Sequence, residues 1–403
     1  RRAMRRPPIC LTTALAALTL AGCAATPTPR NLEPIAEGRG YQAQYRQPDL
    51  DHDDRGVLRS AILNAESCLP PRGGPRGKTT MPKALLGEHL SRNDLLDVRV
   101  GDDETFNGAY VVSRDGTLKL PFIVPVRAQG RSVAAVEADI AAHLIAAEIY
   151  AERPRVSVRV ADFSSVKVGV TGAVFEPHAV EIGGAGDIID AARQAALGAS
   201  TEARDLSVAL RAAGGVRPDA DLSAVEVHRG DQMHLLDLRD AFEGRDPTDI
   251  MLLAGDQIMV PSRNCFQDAL MRPSPISPLG VSLFLSNLTQ PAASNAVSAI
   301  GREVRQAPYG TRYLQAAVNA NCAGGARLTN AARAAALVSR NPMTEVSVVI
   351  ERNIEDLMRR GDRDDYDPYL LPGDALVCYD SSVTEITEIA RAFGLVGAVL
   401  LLR

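Results

Sequence analysis

Tryptophan is absent, and aromatic residues make up only 4% of the 403-residue chain. That scarcity argues against a surface that stacks on bases or sugar rings. Lysine is nearly as rare: Lys78, Lys83, Lys119 and Lys167 are the four among 44 basic residues, and the net charge is −5. No basic patch emerges, which argues against a nucleic-acid partner. No GxxxxGK[ST] loop occurs and no lysine follows the glycine pairs, so those pairs read as structural turns. No CxxC or His/Cys spacing suggests a metal site, and the six histidines are scattered. No Ser/His/Asp arrangement stands out, and the acidic pairs Asp102-Asp103 and Asp364-Asp365 read as solvated turns. We therefore assign no catalytic residue, no metal ligand and no cofactor, and read the chain as a non-enzyme.

What is present is an ordinary globular composition, 46% hydrophobic and 23% charged, in a chain long enough for two to four domains. At the amino end Arg1, Arg2, Arg5 and Arg6 precede an apolar run from Ile9 to Leu20, then Leu20-Ala21-Gly22-Cys23. The run is too short to span a bilayer and has the layout of a secretory signal. Its end resembles a lipoprotein lipobox, which implies a lipid anchor on Cys23 and a signal over 1–23. Ala24-Ala25 follows with no Asp, which by the same resemblance permits the outer membrane. Residues 24–50 are rich in Pro and polar side chains and read as a tether, with 24–84 as the lead-in to the first domain.

Residues 85–162 form the first folded module. Asp94-Leu95-Leu96-Asp97-Val98-Arg99-Val100 alternates like a half-buried strand. Tyr110 to Ser113, a turn at Arg114-Asp115-Gly116, and Thr117 to Pro121 predict a hairpin. Ser132 caps a helix expected over Val133–Ile149, and Pro154 opens another alternating strand, Arg155–Val160. The order of Gly108, Tyr110, Val112, Asp115, Gly116, Leu120, Pro121, Gly130, Pro154, Val156 and Val158 resembles the outer-membrane polysaccharide export (OPX) family, the Wza-type lipoproteins. Asn93-Asp94 stands where that family has Gly-Asp, and Phe122-Ile123-Val124 replaces its Ile-Gly.

The rest of the chain repeats itself. Residues 206–229 resemble 314–340: each is a short helix, a Gly-Gly, a turn and a strand ending in Arg. Each copy closes on a Gly-Asp strand, Gly255–Pro261 and Gly373–Tyr379. The spacing resembles a soluble-ligand-binding β-grasp (SLBB) module, placing a first copy at 163–264, opened by Val166–Val174 and Pro177, and a divergent second at 306–380. Residues 265–305 read as an insertion in which Val281–Leu288 is an apolar stretch that either packs between subunits or covers a sheet edge. The expected fold class is α+β and multidomain.

Setting aside Cys10 and Cys23 leaves Cys68, Cys265, Cys322 and Cys378, an even number in an exported chain. We expect Cys322–Cys378, both inside one module, and Cys68–Cys265; free buried thiols are the alternative. Residues 381–403 read as a helix with Glu385, Glu388 and Arg391 along one stripe and an apolar second half. Its 21 residues from Ser382 would run about 31 Å, close to a bilayer's hydrocarbon core. In the resembled family such helices join a membrane barrel, which would turn the three charged side chains to a wet lumen; docking on its own domain, or on a neighbour, is the equal alternative.

The resemblance implies a ring-forming homo-oligomer, an octamer among the candidates, anchored in outer-membrane lipid and mostly periplasmic. Its partners would be an inner-membrane polysaccharide co-polymerase and a capsular or extracellular polysaccharide substrate. The competing reading is a periplasmic carbohydrate- or ligand-binding lipoprotein without channel activity.

Overall fold

The computed structural model describes residues 29–47, 59–75, 81–101, 103–184, 202–245, 249–287, 305–320, 322, 333–359, 361 and 363–379. Cys23 and the stripe Glu385, Glu388 and Arg391 lie outside the described residues. The fold is α+β and divides into two compact units, one of Ala61–Gly280 with Pro308–Gly310, the other of Arg1–Ser60, Val281–Ala307 and Thr311–Arg403.

The first unit begins with helix α1 (Arg59–Glu66), of which Ala61 onward belongs to it, and a lead-in pinned by Cys68 bonded to Cys265, with Cα atoms 4.8 Å apart. Leu69 N–H donates to Arg263 O at 2.9 Å, and Arg72 N–H to Asp221 at 2.7 Å. Then come strands β1 (Leu95–Val100), β2 (Gly108–Val111), β3 (Thr117–Leu118) and β4 (Val126–Arg127), helix α2 (Val133–Ala146) and β5 (Val156–Asp162). β1 is the centre of an antiparallel sheet ordered β2-β1-β5. Its alternation is plain: Leu96, Val98 and Val100 are buried, while the residues between them face outward. Against this face α2 packs Val136, Ile140 and Leu144.

Two expectations for this module are corrected. The hairpin of 110–121 does not form as a ladder: β2 pairs with β1, and β3 pairs instead with β4, Leu118 opposite Val126. Both of those side chains are fully buried, so the chain turns inward after Asp115-Gly116 to fill the core. The helix ends at Ala146, not Ile149, because Glu148 adopts a positive φ of 56° and reverses the chain.

The first repeat follows as β6 (Val166–Gly172), β7 (His178–Ile182), α3 (Leu206–Ala212), β8 (Val225–Arg229), β9 (Gln232–Leu236) and β10 (Gln257–Val260). Its sheet runs β7-β6-β10-β8-β9, antiparallel except for β6 beside β10. α3 ends at the glycine pair, where Gly214 and Gly215 have φ of 77° and 81°. Gly215 N–H returns to Leu210 O at 2.9 Å, closing the helix. A Cβ there would sit 2.3 Å from the Pro278 nitrogen, so only glycine fits.

The second unit holds β11 (Val281–Asn287), β12 (Arg305–Ala307), α4 (Tyr313–Asn319), β13 (Ala334–Arg340), β14 (Ser347–Asn353), α5 (Ile354–Arg359) and β15 (Ala375–Tyr379). Its sheet is ordered β12-β11-β15-β13-β14, with β11 and β15 parallel and the other pairs antiparallel. Strand for strand this is the topology of the first repeat. Val281–Asn287, part of the apolar stretch expected inside an insertion, is therefore the opening strand of the second copy. Val281 and Leu283 are buried, and alternation was hidden by the neighbouring apolar Phe284 and Leu285. Cys322, just after α4, is bonded to Cys378 on β15. The second copy's glycine pair, Gly324-Gly325, lies outside the described residues.

The amino-terminal segment is the largest departure. Residues 29–47 were expected to be part of a tether, yet Tyr41, Gln42, Ala43, Gln44 and Tyr45 are buried in this second unit. The Asn31 side chain meets both backbone groups of Val349 on β14, at 3.0 and 2.6 Å. Gln42 does the same with Tyr369, at 2.8 and 2.9 Å. The buried Arg352 guanidinium donates to the carbonyls of Gln44, Tyr45 and Arg46 at 3.1, 3.2 and 2.8 Å. Side-chain amides and a guanidinium thus replace the ladder bonds a strand would have made. Asp365, expected to be solvated, accepts from Ser60 N–H at 2.8 Å and pairs with Arg46.

Candidate functional site

The 85–162 module and its junction with the first repeat hold the residues whose pattern pointed to function. Asp115 accepts from the Thr117 N–H at 3.1 Å and the Thr117 hydroxyl at 2.7 Å. Those bonds, with Lys119 at 3.1 Å, lower its pKa to about 2. Gly116, at φ 78°, closes the turn: its N–H reaches Ser113 O, and its carbonyl accepts from Ala128 and Gln129 at 3.0 Å. Gly130 N–H reaches Leu90 O at 2.8 Å, tying the entry of α2 to the entry of β1. The Tyr110 hydroxyl donates to Phe106 O at 3.1 Å, and Ser132 caps α2 through Ala135 N–H at 3.4 Å. These residues build turns and caps, and none of them gathers nucleophile, base and acid in one place. Beyond Pro121, Phe122 and Val124 stand exposed at the tip of the β3–β4 loop, Phe122 with a φ of 60°.

Three strands of the chain open on one device. Asn93-Asp94 precedes β1, Gly255-Asp256 precedes β10 and Gly373-Asp374 precedes β15. The first residue of each pair has a positive φ: 70°, 95° and 88°. Each aspartate is buried and accepts the N–H three residues back, from Ser91, Leu253 and Leu371 at 2.7, 2.9 and 2.9 Å. Asn93 substitutes for glycine because asparagine tolerates the left-handed region best after glycine.

The three carboxyls differ in their partners. Asp94 is paired with Arg204, both side chains at most 1% exposed. Arg204 also donates to Ser164 O at 2.8 Å and lies 5.1 Å above the Phe163 ring. Since Arg204 enters α3 of the repeat and Asp94 enters β1, this pair ties the first module to the first repeat. Asp256 is paired with Arg229 at 2.7 Å. Asp374 lies beside the Ser339 hydroxyl, and burial raises its pKa to about 7. Nothing in the sequence pattern singled out Arg204; its only signal was a charged residue just ahead of a predicted helix. Beside it Asp205 is raised to about 7, by burial first and then by Asp249 and Glu202.

Among the described residues no cluster of three His, Cys, Asp or Glu is placed to hold a metal, and no helix is long and apolar enough to cross a membrane. Residues 87–161 match the family model of polysaccharide biosynthesis/export proteins. The match covers β1 through most of β5, the segment on which the resemblance rested. No curated protein matches the chain.

Proposed function

Because residues 87–161 are a polysaccharide biosynthesis/export domain, we propose that this chain is a subunit of an outer-membrane ring that conducts capsular or extracellular polysaccharide. The observation that carries the reading is that domain, joined through the Asp94–Arg204 pair to the first of two sheets of identical strand order. Repeated small α+β modules of this kind, read as SLBB-like, stack along an envelope-spanning path. Copies associate side by side about a symmetry axis and enclose a hydrated bore. The conduit does no chemistry: polymerisation by an inner-membrane partner supplies direction, and the walls need only be polar and weakly binding. Cys23 carries the lipid that holds the ring at the outer membrane, and the carboxyl-terminal segment with Glu385, Glu388 and Arg391 forms its membrane collar. Deleting the gene tests this. Surface polymer should be lost altogether, whereas undiminished polymer of altered chemistry would point to a modifying enzyme.

A further inference from the structure

At one buried register position an ion pair of the first sheet has no counterpart in the second, and the amino-terminal segment packs there. In the first sheet the last antiparallel partners are Gln257 and His228, and one step further Arg229 faces Asp256 in the 2.7 Å ion pair. In the second the last partners are Ala375 and Val338, so the equivalent step brings Ser339 to Asp374. Serine leaves the space of a guanidinium empty and the carboxyl without its cation. Tyr45 occupies that place: its hydroxyl lies 3.0 Å from Ser339 Oγ and 3.2 Å from Gln42 Nε2, and the residue is 1% exposed. Asp374 itself is 2% exposed. The 29–47 segment is therefore a strap whose buried end closes over a carboxyl group that has lost its charge partner.

We propose that the strap is a proton-dependent latch: it stays closed while Asp374 carries a proton, and it opens when that carboxyl ionises. An ionised carboxylate sealed beneath Tyr45 would lack both water and a cation, while strap opening would hydrate it. Among the described residues the surrounding groups leave Asp374 without a paired cation. From the strap, Glu33 acts on Tyr45 with the wrong sign to help, and it is held by Asn341 and Thr344 at 2.7 Å. Arg46 is paired with Asp365, and Arg39 with Glu37 in the exposed part of the strap. From β13, Arg340 beside Ser339 pairs outward with Glu345 at 2.7 Å. From β14, Arg352 is occupied by the strap's own carbonyls and by Tyr366 O. The carboxyl's own contacts are the Leu371 N–H and the Ser339 hydroxyl. Tyr45 is pushed far up by burial, then by Asp374, so it remains a neutral phenol throughout.

The direction follows from linkage. The folded-state pKa of Asp374 lies above that of an unfolded or hydrated aspartate, so the closed strap binds the extra proton. Closure is strongest at low pH and weakens as pH rises to about 7, the value at which the buried carboxyl ionises.

Hydrogen–deuterium exchange of the full chain, corrected for intrinsic amide rates, tests it on the backbone of 41–46. Protection there should fall at least about tenfold between roughly pH 5.5 and 8.5, while β6 of the other sheet stays constant. Asp374→Asn should keep the strap protected at both pH values. Ser339→Arg, which copies the first sheet's pair, should leave it weakly protected at both, and it serves as the second variant should the first not fold. Constant protection in the unmodified chain, or the same pH dependence in either variant, overturns the proposal.

Discussion

Ser339 faces Asp374 at the register position where Arg229 faces Asp256. Two sheets of one topology thus place an Arg–Asp ion pair in one copy and a Ser–Asp pair beneath the strap in the other. The difference reaches the amino terminus. A segment that composition marks as a tether is a packed part of the second unit, with the Tyr45 hydroxyl 3.0 Å from Ser339 Oγ.

The Asp94–Arg204 pair is a further buried charge relationship, and its loss should be costly. Arg204→Ala leaves the Asp94 carboxylate buried without its partner, and also removes the bonds to Ser164. We expect a loss of about 3–5 kcal/mol in the unfolding free energy of the 61–280 unit, read by denaturant titration. A change under about 1 kcal/mol would mean the pair is dispensable.

Gly215 should tolerate no side chain. Gly215→Ala sets a Cβ 2.3 Å from the Pro278 nitrogen at a φ of 81°, and both the strain and the clash oppose folding. A loss of about 2 kcal/mol or more is expected by thermal unfolding. Unchanged melting would show that the Pro278 segment moves aside freely.

Asp205 should make stability fall as pH rises. Its folded pKa of about 7 lies above that of an unfolded aspartate, so the folded state holds the proton longer. Its contribution is full at acidic pH and is lost as pH climbs towards that value. Asp205→Asn should therefore raise the melting temperature near pH 8 relative to the unmodified chain, with little effect near pH 4. An equal shift at both would assign the effect to packing.

Reduction should loosen both units. For the 56-residue separation of Cys322 and Cys378, loop-closure entropy alone predicts a loss of about 4 kcal/mol, measured by denaturation with and without reductant. The 197-residue separation of Cys68 and Cys265 should cost at least as much. Identical curves would show that the bridges add nothing to the packed state.

Much of this fold was legible in the residues, and the illegible part has identifiable causes. The alternation of Leu96, Val98 and Val100, the capped α2 and the two Gly-Asp strands follow from local pattern, because each element's burial is written at its own period. Strand β11 was missed because two adjacent apolar residues, Phe284 and Leu285, blur its alternation and proline-rich sequence precedes it. The strap was missed because its buried contacts are made by side-chain amides and Arg352 from more than 300 residues away. No local period encodes such contacts. Of the candidate site, the turn residues Asp115 and Gly116 were readable, whereas Asp94 with Arg204 required the tertiary fold. Asn93 in place of glycine looked like a departure from the family pattern, yet its φ of 70° shows it meeting the same backbone demand.

Several copies of the chain are proposed to surround a wet bore. Particle imaging of the full-length protein, extracted from native membranes in mild detergent, tests it most directly. The account predicts closed rings with an open centre and a cap of detergent at one end. Uniform single copies at native membrane density would contradict it.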